Sequence, residues 1–180
     1  MNVTHYPGVG WKIQLAVAGV DEEVILCSVF RKQAIECDDL KILRQAVAND
    51  PIDKVSCRPD FAILAYPVIT MGAKTHGGSK ANLIGQQPDE KLVEFYSNEE
   101  QVTSRTPPTF LFHTVQDKAV PIENSRMFKA ACEKAGVPVE LVEYEEGQHG
   151  VGLGLNTNLP LAGWSVKLDE WLRKRGLLER

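Results

Sequence analysis

Short apolar runs alternate with segments of helical spacing from about residue 60 to the end of the chain. The runs are continuous rather than alternating, which is typical of strands buried on both faces, and they cover residues 60–66, 109–113 and 139–144. Helices are predicted between the last two runs, over residues 122–135, and near the end of the chain, over about 161–175. This alternation indicates an α/β fold in which a mostly parallel sheet is flanked by helices.

The stretch from Thr70 to Pro108 does not follow this alternation of strand and helix patterns. It contains a glycine-rich segment, His76-Gly77-Gly78-Ser79, which predicts a turn, and a short helix over about residues 89–96. Because it is too long for a plain connection, it predicts an insertion (residues 70–108) over the strand ends, where substrate-facing lids lie.

The chain divides into an atypical N-terminal segment, residues 1–48, and a domain, residues 49–180, which contains this insertion. Residues 12–17 and 23–30 of the first segment could be strands, but their amphipathic patterning is poor.

Composition narrows the function only by exclusion. With 43% hydrophobic and 24% charged residues, the 180-residue chain fits one soluble globular domain, and its net charge of −4 argues against a nucleic acid partner. No apolar run approaches the roughly 20 residues that span a bilayer. No metal-ligand spacing or phosphate-binding loop is present, so neither a metal nor a cofactor is expected. The cysteines are predicted to be free thiols: Cys27, Cys37, Cys57 and Cys132.

Two residues with chemical potential follow consecutive predicted strands. Asp117 comes shortly after the strand ending at His113, and His149 shortly after the strand ending at Tyr144. Since the carboxyl ends of parallel strands share one edge of a sheet, we expect the two side chains to meet there as the acid and base of a Ser-His-Asp triad. The alternative is that Asp117 caps the following helix and His149 lies in a turn, but the order of acid then base favours the triad.

The other histidines are assigned no chemistry. His113 ends a predicted strand and is expected to be a structural turn residue, and His5 is isolated. His76 opens a His-Gly-Gly segment like the loop that builds an oxyanion hole, but such a loop belongs after an early strand and before the nucleophile. It is therefore expected to be a turn in the insertion.

Four motifs in combination point to a family. They are Pro59–Ile69, Thr106–Thr114, Asp117–Pro121 with Glu123-Asn124-Ser125, and Gly147–Leu153. Together they resemble the bacterial acetylxylan-esterase-like α/β-hydrolases, also described as lipase/esterase or dienelactone-hydrolase-like, over residues 49–175. The resemblance implies a partial α/β-hydrolase fold and hydrolysis of a small ester or acetylated carbohydrate. It also implies that Asp117 and His149 occupy the positions of the acid and the base.

The serine of that triad is missing. The family carries an HGGG-like loop and a GFSAGGH-type nucleophile elbow upstream of the segment that matches Asn49, and this sequence has neither. Ser28 lacks the flanking glycines that permit the strained turn of an elbow, and Ser56 and Ser79 lack that setting too. The sequence therefore predicts two site residues, the acid and the base, and no nucleophile.

The missing elbow has a possible origin in the gene. Codons for residues 28–35, read two bases later, can spell Gly-Phe-Ser-x-Ala-Gly-His, nearly the family's elbow and nearly at its distance before Asn49. This predicts that roughly residues 1–48 are an out-of-frame reading that rejoins the true frame near Asn49. The alternative is an authentic divergent N-terminus. The gene sequence distinguishes the two, since codons that do not give this peptide in the shifted frame exclude the first.

Two functions from different classes follow. The first is that the chain is, by descent, a carboxylic-ester hydrolase with a Ser-His-Asp mechanism whose serine is not found in this chain. The alternative is an inactive hydrolase fragment or a pseudo-enzyme that acts only as a binding or interaction module. The absence of the early strands predicts an exposed sheet edge and self-association through it. Localisation stays open between the cytoplasm, as the chain is written, and export, as for other members of the family.

Overall fold

A single parallel sheet organises the part of the chain that the computed structural model describes, residues 58–154 and 158–178. Its three strands are hydrogen-bonded in chain order, β1 (Ala62–Ala65), β2 (Thr109–Thr114) and β3 (Val139–Tyr144). The predicted α/β class and the three predicted strands are confirmed. The strands suggested at 12–17 and 23–30, and the whole segment 1–48, lie outside the described residues.

Helices connect and cover these strands, as the spacing predicted. They are α1 (Gly77–Ile84), α2 (Glu90–Tyr96), α3 (Glu123–Lys134) and α4 (Trp164–Lys174), with 3₁₀ turns at Asn98–Gln101 and Pro160–Gly163. The predicted helix near 89–96 is confirmed, and the final helix begins as the second 3₁₀ turn. The turn predicted at residues 76–79 is wrong. His76 caps α1 by accepting the amide of Ser79, so the two glycines start a helix there.

The sheet lies between α3 and α4, so its central strand β2 is buried on both faces. Successive side chains of a strand point to opposite sides, and in β2 both sides are apolar. Leu111 packs with Leu64 of β1 and with Phe128 of α3. On the other face, β2 contacts the apolar side of α4 through Phe110, Phe112, Trp164, Leu168, Trp171 and Leu172.

The buried face of α3 is partly polar, which the prediction of a helix over residues 122–135 did not indicate. Met127 is exposed, and the residues that face the protein are Asn124, Ser125, Phe128 and Cys132. Asn124 is buried because its Oδ1 accepts the amides of Ile69 and Thr70, and its Nδ2 donates to the carbonyls of Lys74 and Pro121. Asn124 therefore supplies hydrogen bonds to backbone groups of the segment after β1, residues 69–74, which is not part of a strand.

The ends of β2 and β3 are held together beyond the strands themselves. After the last paired residues, the amides of Val115 and Gln116 donate to the carbonyls of Tyr144 and Glu145, at 2.8 and 3.2 Å. The two loops that carry Asp117 and His149 therefore leave the sheet side by side, at its carboxyl edge.

Candidate active site

Asp117 and His149 meet at this edge. The Nδ1 atom of His149 lies 2.8 Å from Oδ2 of Asp117, although the two residues are far apart in sequence. A carboxylate can only accept, so Nδ1 carries the hydrogen. The structure brings together the two residues that the sequence proposed as acid and base.

The two oxygens of the Asp117 carboxylate contact different groups. Oδ1 accepts the amides of Ala119 and Val120 at 2.9 and 3.0 Å, which closes the turn after the aspartate. Oδ2 receives His149 and lies 3.4 Å from Nε2 of His113. The helix-capping alternative for Asp117 does not hold, since α3 begins only at Glu123 and has no side-chain cap. Asp117 instead caps a turn with one oxygen and holds a histidine with the other.

These donors keep Asp117 ionised although it is only 7% exposed. Burial alone raises the pKa of a carboxyl group because it removes water from the charged form. Here the hydrogen bonds from His113 and His149, and from the amides of Val120 and Ala119, outweigh burial and hold the pKa of Asp117 well below its ordinary value of 3.8. A stable negative charge therefore faces His149.

The depressed pKa of Asp117 links stability to pH. The unfolded chain takes up the proton first as pH falls, so the contribution of Asp117 is complete above about pH 4 and is lost as pH falls toward the folded value. We expect the free energy of unfolding, measured in urea, to decline more steeply below pH 4 for the natural chain than for the variant Asp117→Asn. Equal slopes for the two proteins would show that Asp117 is not the group responsible.

His149 is placed by a tight loop and an aromatic neighbour. Its ring packs edge-on against Tyr66, with centroids 4.8 Å apart, and its side chain is 26% exposed. Tyr66 directly follows β1 and has φ of +40°, a backbone conformation that non-glycine residues rarely adopt and that often marks functional sites. Gly147 must be a glycine, because a Cβ there would come within 2.7 Å of the Thr114 side chain and 2.8 Å of Leu161.

Comparison with known proteins identifies the family. The sequence profile of the Prolyl oligopeptidase family matches residues 67–166, which is more than half of the chain and includes both Asp117 and His149. This chain belongs to the Prolyl oligopeptidase family. Its relatives place it among the esterase-like α/β-hydrolases, which confirms the family and fold that the motifs predicted.

Two curated relatives match this Prolyl oligopeptidase family chain. Endo-1,4-beta-xylanase B of Butyrivibrio fibrisolvens is 36% identical over 145 residues, 79% of this chain and 22% of that protein. Acetylxylan esterase of Xylanibacter ruminicola is 37% identical over 102 residues, 54% of this chain and 21% of that protein. The chain thus spans about a fifth of the length of the curated relatives it matches.

Solved structures agree with this assignment. An acetyl ester-xyloside bifunctional hydrolase from Caldicellulosiruptor lactoaceticus is 43% identical, with a TM-score of 0.71 over 74% of this chain and 48% of that one. The carboxylesterase Cest-2923 from Lactobacillus plantarum, 21% identical with a TM-score of 0.62 over 85% of this chain and 56% of that one, shares the fold.

His113 of this Prolyl oligopeptidase family chain is not the turn residue that the sequence suggested. It lies inside β2, fully buried, with Nδ1 2.7 Å from Oγ of Ser125 and Nε2 3.0 Å from the carbonyl of Val120. Sequence reasoning missed it because an isolated histidine at the end of an apolar run carries no local signal. Ser125 of α3, twelve residues later, was the one sequence feature that could have indicated a buried partner for this histidine.

The remaining candidates contribute no further group to the site. Ser79 is buried in α1 and bonded to the ring of His76, so it belongs to the helix start, and Cys132 is a buried free thiol as predicted. His5, Ser28 and Ser56 lie outside the described residues. Within residues 58–154 and 158–178, no three His, Cys, Asp or Glu side chains are grouped to hold a metal ion, and no helix is long and apolar enough to cross a membrane.

Proposed function

We propose that the protein from which this chain derives is a carboxylic-ester hydrolase that acts on acetylated carbohydrate, with Asp117 as the acid and His149 as the base. The observation that carries the proposal is the 2.8 Å contact between Oδ2 of Asp117 and Nδ1 of His149. It joins a buried, ionised carboxylate to a partly exposed imidazole, which is the arrangement that a serine hydrolase uses.

The contact between Asp117 and His149 supports one direction for the proposed proton transfers. Because Nδ1 of His149 donates to Asp117, Nε2 is the ring atom that takes the proton of an attacking serine hydroxyl. The serine oxygen bonds to the ester carbonyl carbon, the alcohol leaves with the proton held on Nε2, and an acyl-enzyme remains. Water then releases the acid by the same route, and the serine regains its proton.

The acetylated substrate is proposed from the relatives and from the family's motifs. An acetylxylan esterase and an acetyl ester-xyloside hydrolase are among the proteins most similar to this chain. The insertion of residues 70–108 contributes α1 and α2 near the carboxyl edge of the sheet, where a substrate-selecting surface would lie. Release of acetate from acetylated xylan, compared with release from p-nitrophenyl acetate, measures this preference.

A fluorophosphonate label tests the proposal most directly, because it reacts covalently with a serine that a neighbouring base has activated. We expect folded protein that carries the nucleophile serine to be labelled on that one residue and to hydrolyse p-nitrophenyl acetate, and its His149→Ala variant to lose both reactions without losing its thermal transition. Mass spectrometry of the labelled peptide names the nucleophile, and heat-denatured protein is the control for nonspecific reaction.

The second candidate function is that of an inactive fragment or a binding module, and the missing elbow favours it. None of the serines in this chain has the glycine setting of a nucleophile elbow, and a triad without its nucleophile loses most of its rate. Folded protein that is neither labelled nor hydrolytic supports this function. Chain produced from the gene in the shifted frame for residues 1–48 then tests whether the restored peptide brings labelling back.

A further inference from the structure

A second histidine reaches the carboxylate that His149 uses. His113 is fully buried in β2, and its Nε2 atom lies 3.4 Å from Oδ2 of Asp117, the same oxygen that accepts from His149. Its side chain cannot reach solvent, so its role must lie in the contacts it makes inside the protein. Besides Asp117, these are the carbonyl of Val120 and the hydroxyl of Ser125.

These contacts fix which ring nitrogen of His113 carries a hydrogen. Nε2 faces two groups that can only accept, the Val120 carbonyl at 3.0 Å and the Asp117 carboxylate at 3.4 Å, so the hydrogen is on Nε2. In the neutral ring, Nδ1 is then an acceptor, and the Ser125 hydroxyl donates to it at 2.7 Å. Every polar atom of the ring has a partner, which makes this one orientation strongly preferred.

The same arrangement fixes the turn that carries Asp117, because both polar groups of the Val120 backbone are hydrogen-bonded. The amide of Val120 donates to Oδ1 of Asp117, while the carbonyl of Val120 accepts from His113. The Val120 side chain is itself fully buried against Val68 and Met71 and against residues of α1 and α2. The carboxylate can therefore move only if the Val120 peptide or the His113 ring moves with it.

We infer that His113 is the positioning residue of the Asp117–His149 pair, holding Oδ2 at the point from which it orients His149. The catalytic meaning of this inference rests on the proposed hydrolase function, but the positioning itself does not. The titratable and charged groups around His113 are Asp117 in the loop after β2, His149 on the other side of that carboxylate, and Glu143 of β3, which is paired with Arg126 of α3.

Two replacements of His113 separate a positioning role from a packing role. In His113→Gln the amide nitrogen reaches about as far as Nε2 and can still donate to Val120 and Asp117. In His113→Asn it reaches only the place of Nδ1, beside Ser125. We expect the proton resonance of His149 Nδ1 in ¹H–¹⁵N spectra, protected from exchange by Asp117, to persist in the glutamine variant and to be lost in the asparagine variant.

Ser125→Ala is the matched control. It also removes one buried hydrogen bond from the network, but it leaves the Nε2 donor of His113 in place. We therefore expect the His149 resonance to persist in this variant, despite a loss of thermal stability similar to that of His113→Gln. Loss of the resonance in Ser125→Ala, or its retention in folded His113→Asn, overturns the inference.

Two further readouts keep the test decisive. If His113→Asn does not fold, the ¹⁵N shifts of the natural protein decide, because a His113 ring that carries hydrogen on Nδ1 and none on Nε2 is incompatible with the positioning contact. None of these spectra requires turnover. A chain that fails to hydrolyse esters but shows the expected spectra refutes the proposed function alone, whereas an active chain with an intact pair in His113→Asn refutes the positioning role alone.

Discussion

Asp117→Asn is expected to lower kcat for p-nitrophenyl acetate about 10⁴-fold in hydrolytically active protein, with little change in KM. The reason lies in the four donors around the carboxylate. Two backbone amides require an acceptor at the position of Oδ1, so the amide nitrogen of the variant must take the position of Oδ2. There it faces the rings of His113 and His149.

An amide nitrogen at that position reverses the hydrogen bond with His149. It donates to Nδ1, which leaves the hydrogen of the neutral ring on Nε2, the atom that has to accept a proton from the serine. It also faces the Nε2 hydrogen of His113, where no favourable contact exists. The loss of rate therefore comes from the wrong tautomer, and it occurs even if His149 stays in its place.

The matched control for this prediction is Asp169→Asn. Asp169 lies on α4, is about half exposed and is paired with Arg173, so the same chemical change occurs far from the carboxyl edge of the sheet. We expect kcat to be unchanged in this variant. A reduction of less than tenfold in Asp117→Asn, measured on folded protein, would show that Asp117 does not set the tautomer of the base.

The strands and the meeting of Asp117 with His149 were predictable because both follow from strong local patterns. A continuous apolar run bounded by proline or glycine fits a strand buried on both faces, and β2 is such a strand. Once two parallel strands are neighbours, the residues that follow them share an edge. The pairing of Thr114 with Tyr144 at the ends of β2 and β3 places the acid and base loops there.

The polar interior was not predictable in the same way. His113, Asn124 and Ser125 are fully buried, and each forms hydrogen bonds with residues outside its own strand or helix. Asn124, for example, accepts from the amides of Ile69 and Thr70, more than fifty residues earlier. An apolar pattern cannot indicate such residues, because they are buried for the hydrogen bonds that they supply and not for their hydrophobic surface.

The helix start at residues 77–78 was missed for a related reason. Two consecutive glycines favour a turn by local propensity, since glycine costs about 1 kcal/mol relative to alanine inside a helix. The first turn of α1 nevertheless forms, because the His76 ring accepts the Ser79 amide and hydroxyl and so caps the helix. The cap comes from an imidazole, which is not among the residue types usually expected at that position.

Phe112→Ala is expected to cost about 3–5 kcal/mol in the free energy of unfolding, measured in urea. The Phe112 ring is fully buried at the centre of β2 and stacks on Trp164 with centroids 4.9 Å apart and planes within 4° of each other. It also makes edge-on contacts with Tyr66 and Tyr144. Truncation leaves a cavity bounded by three strands and α4, which rigid neighbouring rings cannot fill.

Val166→Ala, which also lies in α4, is the control that separates the effect of burial from that of truncating any residue of the helix. Val166 lies in the same apolar series as Trp164 and Leu168 but is 58% exposed, so its truncation is expected to change stability by less than about 0.5 kcal/mol. A typical domain is stable by only about 5–15 kcal/mol, so the Phe112 variant loses a large share of its stability and the Val166 variant almost none.

Because Phe112 also contacts Tyr66, which packs on His149, we expect the Phe112 variant to lose the protected His149 proton resonance even where it remains folded. Retention of that resonance together with a stability loss below 1 kcal/mol would show that the aromatic cluster does not support the candidate site.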